Sequence, residues 1–489
     1  MKIDGRALSF GGRCVSSALA LSLAACGGGG NPSAPAQPPA NQPPAFSSAA
    51  SVSVEENVAA VVYQAVAADP NGDALTYSIV GGVDARRFTL TAAGQLRFVD
   101  APNFDLPVDA DQNNAYEVQI GASDGKASTT LAVTVTVTNS REGVAVHRIA
   151  TGFTDPVAMA PKDAQMMLVA EKAGAIYSLD IATGVKTLLL RIGNVGGVGV
   201  VAMSYGPNTA VGSAGDGSFF VMYTTENGFL VINHFARDVF GQYYSDSIPV
   251  LVTSAPNYTG GGALIYTSGS LFAATGDAGG SGDPSGSAQS DASWLGKLVR
   301  IVPNADPYAG ASAVYYAVSK VGKGLHRPHG GTPFSTGILF ADRGQDFTEE
   351  LNFFASADTG LNFGWPYKEG VRSVSGSLPA GLTEPVLEYY HSGGFRTGRA
   401  IVAGARGPAA VASLRDQFLF ADESGAIFTI TATQIAAGKT LASDGIERRD
   451  ADFAPDAGTL TRPVAIESSP AGAVFILDAN GDVFRVDAR

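Results

Sequence analysis

Cysteine is nearly absent from this sequence. The 489 residues contain two cysteines, Cys14 and Cys26, and both lie close to the start of the chain. The rest of the chain has no thiol with which to form a disulfide or a thiolate metal site. Charged residues are also scarce at 16%, whereas glycine is abundant at 60 residues. A weakly charged, glycine-rich chain is typical of an extracytoplasmic β protein rather than a cytosolic helical one.

Positive charge is in short supply. Lysine and arginine total 32 residues against 45 aspartates and glutamates, which gives a formal net charge of -13. An acidic surface repels phosphate backbones, so nucleic acid is excluded as a partner. Divalent cations are the more natural counterpart of such a surface.

Near its start the chain also lacks an apolar run long enough to cross a bilayer, since residues 15–23 are too few to span one as a helix. Positive residues precede this run and small residues follow it, which is the order of a secretory signal. We therefore predict a signal peptide over residues 1–25. Its positive residues, which precede the apolar run, are Lys2, Arg6 and Arg13.

The end of that signal resembles the bacterial lipoprotein cleavage box, because residues 23–26 read Leu-Ala-Ala-Cys. The resemblance implies a lipid on Cys26, which would hold an exported protein in the bacterial cell envelope, at the outer membrane or the cell surface. An ordinary signal cut near Ala25 is the alternative. Residues 26–43 are rich in glycine and proline and cannot bury a core, so we predict a tether.

Residues 44–141 alternate between apolar and polar residues in short bursts, as in Leu-Ala-Val-Thr-Val-Thr-Val at 131–137. This period of two, with turn residues between the bursts, predicts a β-sandwich. Acidic residues and asparagines cluster in the turns. Carboxylate and amide oxygens are the ligands that calcium prefers.

The same segment resembles a cadherin repeat. The likeness rests on the early Glu-Asn, on Asp-Pro-Asn-Gly-Asp before Leu-Thr-Tyr-Ser-Ile, and on Tyr-Glu-Val-Gln-Ile-Gly-Ala-Ser-Asp-Gly near its end. The resemblance implies calcium binding. An alternative is that these residues hydrogen-bond their own backbone in turns. The implied ligands are Glu56, Asp69, Asn71, Asp73, Asp109, Asp111 and Asp124.

Residues 144–489 consist of short apolar runs closed by Gly, Asp or Pro, with few helical periods. Two such runs flank Ser268–Gly269, which predicts a hairpin. The regular spacing predicts an all-β fold of repeated sheets. A strand at 144–149 and one at 483–487 would pair and close these sheets into a ring, which removes exposed sheet edges.

Several ordered motifs in this part resemble the glucose/sorbosone dehydrogenase family, the soluble pyrroloquinoline quinone (PQQ) sugar dehydrogenases. The resemblance implies a six-bladed β-propeller, a PQQ cofactor and a histidine general base. The motifs are GGALIY and LFAATGD (261–277), LGKLVRI (295–301), DRGQD and EELN (342–352), and NFGWP (362–366).

The site positions implied by the family have changed. Thr259 stands where the family has its histidine base, and a threonine hydroxyl is no base near neutral pH. Val198 replaces a polar residue, and the family's Gly-Leu-Arg-Asn-Pro reads Gly-Leu-His-Arg-Pro at 324–328. These changes predict a retained fold without the original chemistry.

A relocated base remains an alternative, because residues 323–329 hold one lysine, one arginine and two of the five histidines. A solvated polar loop is the other interpretation of this segment. The candidate catalytic residues are His326, Arg327 and His329, and the candidate cofactor contacts are Asp277, Lys323 and Arg327.

Three functions therefore stay open. The first is a lipoprotein whose propeller binds a saccharide or a cell-surface protein without oxidising it, beside a calcium-binding sandwich. The second is a PQQ-dependent aldose or polyol dehydrogenase with altered cofactor contacts. The third is calcium-dependent cell adhesion through the sandwich. The sequence leaves undecided whether the chain is an enzyme.

Overall fold

The structure is a computed structural model that describes residues 39–206, 218–235, 243, 248–303, 316–435 and 439–489. The predicted signal peptide, Cys26 and most of the predicted tether lie outside the described residues. Within these ranges the regular structure is β, apart from short 3₁₀ turns, and no helix has the length and hydropathy to span a membrane. The 3₁₀ turns are Ala85–Arg87, Arg141–Gly143, Ala432–Gln434 and Ser443–Gly445.

The first domain is a sandwich of nine short strands. They are β1 Ala45–Phe46, β2 Ser51–Glu55, β3 Tyr63–Gln64, β4 Ala67–Ala68, β5 Thr76–Gly81, β6 Phe88–Leu90, β7 Gln95–Phe98, β8 Ala115–Ser123 and β9 Ser128–Thr138. One sheet has the order β2-β9-β8-β5 and another the order β3-β7-β6. Alternate residues of β8 and β9, such as Val118 and Val135, pack against Leu96 of β7 in one core, as a period-two pattern requires.

The second domain holds the remaining strands in a repeated four-stranded arrangement. Its first half contains β10 Val144–Ala150, β11 Pro156–Pro161, β12 Met166–Glu171, β13 Ala175–Asp180, β14 Lys186–Arg191, β15 Val195–Tyr205, β16 Phe219–Thr225, β17 Phe229–Phe235, β18 Ile248–Ser254, β19 Gly262–Thr267, β20 Ser270–Thr275, β21 Lys297–Pro303 and β22 Tyr316–Lys323. Its second half contains β23 Arg327–Phe334, β24 Gly337–Arg343, β25 Thr348–Ala355, β26 Leu361–Asn362, β27 Lys368–Glu369, β28 Arg372–Ser373, β29 Leu387–Tyr390, β30 Ile401–Arg406, β31 Gln417–Asp422, β32 Ile427–Thr431, β33 Glu447–Arg448, β34 Pro463–Ser468, β35 Val474–Asp478 and β36 Val483–Ala488.

These strands form antiparallel units that surround a common axis. The innermost strands are β11, β15, β19, β23, β30 and β34, and each contacts the next in order while β34 contacts β11. The N-terminal β10 pairs with the C-terminal β36, with Val146 opposite Val486. The chain thus closes its own ring, as predicted from the two terminal strands.

Apolar side chains fill the space between neighbouring units. Val402 and Leu419, for example, pack against Ile466 and Ile476 of the next unit. The prediction of an all-β fold with a sandwich followed by a propeller is confirmed. The number of blades stays a prediction, since the β19 and β23 units share one nine-stranded sheet through a single pair, Gly262 and His329.

Candidate functional site

Cavities lie at both ends of the innermost strands. Residues at the start of these strands, such as Val157 and Gly262, line a cavity of about 350 Å³. Residues at their ends, such as Pro161 and Tyr266, line a second cavity of about 630 Å³. Of the residues that sequence reasoning singled out, Thr259, Arg327 and His329 line the first cavity. We call it the Arg327 mouth.

The Arg327 mouth carries more positive than negative side chains. Arg327, Arg343, Arg462 and Lys172 line it, against Asp155 and Glu423. In a chain whose net charge is -13, this local surplus of positive charge makes the mouth attractive to an anion.

Arg327 begins β23, and a buried carboxylate fixes its backbone. Asp342 of β24 accepts the backbone N–H of Arg327 at 2.7 Å and that of His326 at 3.0 Å. Burial, with the neighbouring carboxylate of Glu350, holds the pKa of Asp342 well above its usual value. The Arg327 side chain is half-buried, and its Nε has no hydrogen-bond partner among the described residues. A buried donor without an acceptor favours a ligand that supplies one.

The other arginines of the mouth share one carboxylate. Arg343 donates from a terminal guanidinium nitrogen to Glu423 at 2.5 Å and from its Nε to the carbonyl of Ile401 at 3.0 Å. The Arg462 guanidinium lies 4.0 Å from the other oxygen of Glu423. Glu423 therefore offsets part of the charge of both arginines and holds them at the rim.

His329 stands two residues after Arg327 on the same strand. Burial, together with the positive charges of Arg343 and Arg327, holds the pKa of His329 well below its usual value. Its imidazole is neutral at pH 7, and its Nε2 lies 4.0 Å from Glu423. A neutral imidazole has a ring nitrogen with a free lone pair, but burial and the two arginines make it a weaker proton acceptor than an ordinary histidine.

The position at which the family resemblance implies a base offers no such group. Thr259 is exposed at the rim. The preceding Tyr258 is buried, accepts the N–H of Gly276 at 2.9 Å and donates to the carbonyl of Gly261. Val198 adds an apolar wall. None of these three side chains takes a proton near neutral pH.

The other candidate residues lie outside the mouth. The His326 ring lies 4.2 Å from that of Trp365, its Nδ1 is 2.7 Å from the carbonyl of Arg343, and burial lowers its pKa to about 4. Asp277 accepts from the Trp365 indole at 2.8 Å, and burial raises its pKa to about 6. Lys323 is 3.0 Å from Asp291. All three make structural contacts in the described part of the chain.

The seven predicted calcium ligands divide between the two ends of the sandwich. In the β8–β9 register, Ser123 pairs with Ser128, whereas Ala115 pairs with Thr136 close to the propeller. The turns at the β5 start and after β8 are therefore at the end remote from the propeller. Asp69, Asn71, Asp73 and Asp124 belong to this remote end, whereas Glu56, Asp109 and Asp111 belong to the end that faces the propeller.

Most of these side chains already make hydrogen bonds or ion pairs with other groups of the protein. Asp69 accepts the backbone N–H of Asn71 at 2.8 Å through Oδ1, whereas its buried Oδ2 has no partner among the described residues. Asp73 lies 2.7 Å from the Lys126 ammonium. Backbone hydrogen bonds and the amide of Asn41 lower the pKa of Asp124 to about 2. Such bonds are those of turn residues. A calcium role for the seven stays a prediction.

The predicted ligands at the end that faces the propeller make similar hydrogen bonds to nearby backbone and amide groups. Glu56 accepts the backbone N–H of Phe104 at 3.0 Å and that of Ser140 at 2.9 Å. Asp109 accepts the N–H of Asn113 at 2.8 Å, and Asp111 accepts its side-chain amide at 2.7 Å.

Sequence reasoning missed five charged residues of the mouth, namely Asp155, Lys172, Arg343, Glu423 and Arg462. Arg343 lies within the DRGQD motif that carried the family resemblance, and Glu423 directly follows β31. Asp155 directly precedes β11, Lys172 directly follows β12, and Arg462 directly precedes β34. They reach the mouth because strands from several units converge on one axis, which a linear sequence does not display.

Comparison with known proteins agrees with this architecture. Residues 153–422 match the family model of glucose/sorbosone dehydrogenase. Residues 41–138 match that of a bacterial Ig domain, so the sandwich is of the Ig type, and its assignment as a cadherin repeat stays a prediction.

Solved structures support the fold. The PQQ-bound aldose sugar dehydrogenase of Streptomyces coelicolor is 20% identical with a TM-score of 0.52, and the match covers 71% of this chain and 98% of that one. The apo-form of the soluble aldose sugar dehydrogenase of Escherichia coli is 18% identical with a TM-score of 0.52, covering 71% and 100%. Since the family model spans more than half of the sequence, the chain belongs to the glucose/sorbosone dehydrogenase family.

Proposed function

We propose that this chain is an exported, lipid-anchored envelope protein whose propeller binds a saccharide carrying a carboxylate at the Arg327 mouth, without oxidising it. The observation that carries the proposal is the Arg327 guanidinium, which has a buried Nε with no partner among the described residues. A carboxylate is the natural acceptor for such a donor, because charge-assisted bonds to arginine are stronger than neutral ones.

The walls of the mouth suit a sugar ring. Val157, Val198 and Val464 supply apolar surface, and Thr259 supplies a hydroxyl at the rim. A cavity of about 350 Å³ is in the range of small-molecule sites. The lipid on Cys26 and the envelope location belong to the same proposal and rest on the signal-like start of the sequence.

A second candidate function is a PQQ-dependent dehydrogenase, and the observation in its favour is the neutral His329. The cationic side chains fit the quinone's carboxylates, so Arg327, Arg343 and Arg462 are the residues that would hold it. When bound, PQQ supplies the acceptor for the two electrons of a sugar. The chain's own part would be to take the hydroxyl proton on His329 Nε2.

Calorimetric titration with matched neutral and carboxylated sugars tests the binding proposal. We expect carboxylated sugars to bind, and Arg327→Gln to weaken them about tenfold or more, since a charge-assisted bond contributes about 1.5–3 kcal/mol. Lys323→Gln is the matched control, because Lys323 is paired with Asp291 outside the mouth. Equal affinity for neutral sugars, or an Arg327→Gln variant that binds as the parent does, would contradict the proposal.

A further inference from the structure

The sandwich meets the propeller around a buried arginine. Arg449, 1% exposed, follows β33 and directs its guanidinium at three carboxylates. Its terminal nitrogen lies 2.6 Å from Asp452 and 2.7 Å from Glu142, and its Nε lies 3.5 Å from Asp105. Asp105 belongs to the sandwich, Glu142 to the segment that joins the domains, and Asp452 to the propeller. The cluster therefore spans all three parts of the chain.

The three carboxylates are close enough to share an ion. One oxygen from each of Asp105, Glu142 and Asp452 lies within 4.8 Å of the other two. Calcium takes carboxylate oxygens at about 2.3–2.6 Å, so ligands of one ion stand within about 5 Å of each other. None of the seven ligands predicted from the sequence belongs to this group.

Arg449 leaves part of the negative charge uncompensated. Three carboxylates and one guanidinium would carry a surplus of two negative charges with all of them ionised, and burial together with the Asp452 carboxylate raises the pKa of Asp105 to about 9, so that a proton on Asp105 offsets one of these charges at neutral pH. Asp105 is 1% exposed and Asp452 is fully buried, and unpaired charge is costly in such a place. A divalent cation would remove the surplus.

Two further carboxylates, Glu56 and Glu447, lie near the cluster. Glu56 is bonded by the backbone N–H groups of Phe104 and Ser140. Glu447 lies 4.0 Å from Arg449 and accepts from Asn103 at 3.0 Å. Both are acidic, so they add negative charge around the cluster.

A second observation points to a ligand at the same place. Oδ1 of Asp105 and Oδ1 of Asp452 are both buried and have no hydrogen-bond partner among the described residues. Buried carboxylate oxygens are normally bonded. Two such oxygens on the facing domains are available to a cation.

The segment that joins the domains has a left-handed backbone conformation around Glu142. Arg141, Glu142 and Gly143 all have positive φ, at 59°, 42° and 79°. A left-handed conformation is disfavoured for residues other than glycine and persists where surrounding contacts hold it. Here the Asn57 amide donates to Glu142 at 2.8 Å, and the Ser413 hydroxyl donates to its carbonyl at 2.9 Å.

We propose that a calcium-class divalent cation binds between Asp105, Glu142 and Asp452 and fixes the sandwich to the propeller. The ion adds to Arg449 rather than replacing it, and it draws one ligand from each part of the chain. This site is separate from the Arg327 mouth, so it stands or falls independently of saccharide binding.

Calorimetry and thermal unfolding of the chelator-treated full chain, titrated with calcium chloride alone, test the proposal. We expect saturable binding and a Tm that rises with calcium concentration. Glu142→Gln should bind about tenfold more weakly or worse, because affinity follows the number of charged ligands. Glu142 is partly exposed, so this variant retains the fold even where Asp105→Asn does not. Asp69→Asn tests the remote turn, where the sequence predicts a calcium ligand, and should bind like the parent if the ion lies at Glu142. Asp180→Asn, in a propeller turn where Asp180 accepts the backbone N–H groups of Ala182 and Thr183, is the matched control.

Two results would overturn the proposal. One is no binding and no change in Tm up to about 10 mM calcium, well above the range of extracellular calcium sites. The other is unchanged affinity in Glu142→Gln, whether or not Asp69→Asn loses binding. Loss in Asp69→Asn alone would assign calcium to the remote end of the sandwich.

Discussion

Arg327 and His329 lie on the same strand of the mouth, but Arg327 is positively charged and His329 is neutral. Arg327 is a fixed cation whose backbone is held by Asp342, whereas burial keeps His329 neutral. An anion is attracted by the first residue and is not repelled by the second. The pair thus suits the acidic ligand that we propose, although Thr259 stands where the family resemblance implies a histidine.

His234 on β17 gives a test of burial at a single residue. Both of its ring nitrogens are buried without a partner among the described residues, its ring lies 4.8 Å from that of Phe220, and burial lowers its pKa to about 4. Below pH 6.5 the unfolded chain protonates this histidine, but the folded chain does not until about pH 4. Stability is therefore lost as pH falls through this window, by up to about 3 kcal/mol.

His234→Phe should remove that loss. We expect the variant to be more stable than the parent, and the difference to be larger at pH 5 than at pH 7.5, as measured by urea unfolding. His147→Asn is the control, because His147 is exposed beside Asp456. A difference that is the same at both pH values would show that burial at His234 does not set its protonation.

Strand pairing between the two ends of the second domain closes the ring. β36 lies between β10 and β35, so it is a central strand of its sheet. Arg485 pairs with His147 on one side and Phe475 on the other. Proline at a central position removes a ladder hydrogen bond and fits poorly.

Arg485→Pro should therefore destabilise the chain by about 1–3 kcal/mol, the cost of leaving a buried backbone carbonyl without its partner. Arg485→Ala, which keeps the backbone N–H, should cost less than about 1 kcal/mol. Guanidinium unfolding monitored by tryptophan fluorescence measures both. Equal stability of the two variants would show that the β10–β36 pairing does not hold the ring together.

Individual strands and the turns between them could be predicted from the sequence. The predicted turn at Ser268–Gly269 lies between β19 and β20, and both residues have positive φ, at 50° and 73°. The double glycine before β19 also has a physical reason. Gly261 has a φ of 91°, and a Cβ there would lie 2.8 Å from Cα of Arg327. Glycine therefore lets two units approach beside the mouth.

At the scale of the whole molecule, the sequence did not predict which charged residues meet in either candidate site. Arg343, Glu423 and Arg462 come from three different sheets or turns, and only the ring brings them together. Asp105, Glu142 and Asp452 likewise meet only because the sandwich packs on the propeller. Motifs identified the family, whereas charges brought together by long-range contacts define both candidate sites.

The central claim is that the mouth binds its ligand without oxidising it. Steady-state reduction of an electron-accepting dye, by the chain supplied with PQQ and calcium over a panel of aldoses, polyols and sugar acids, tests this claim most directly. We predict a rate no higher than that of the same mixture without protein. Sugar-dependent dye reduction that disappears in His329→Gln would contradict the claim and make His329 the base of an active dehydrogenase.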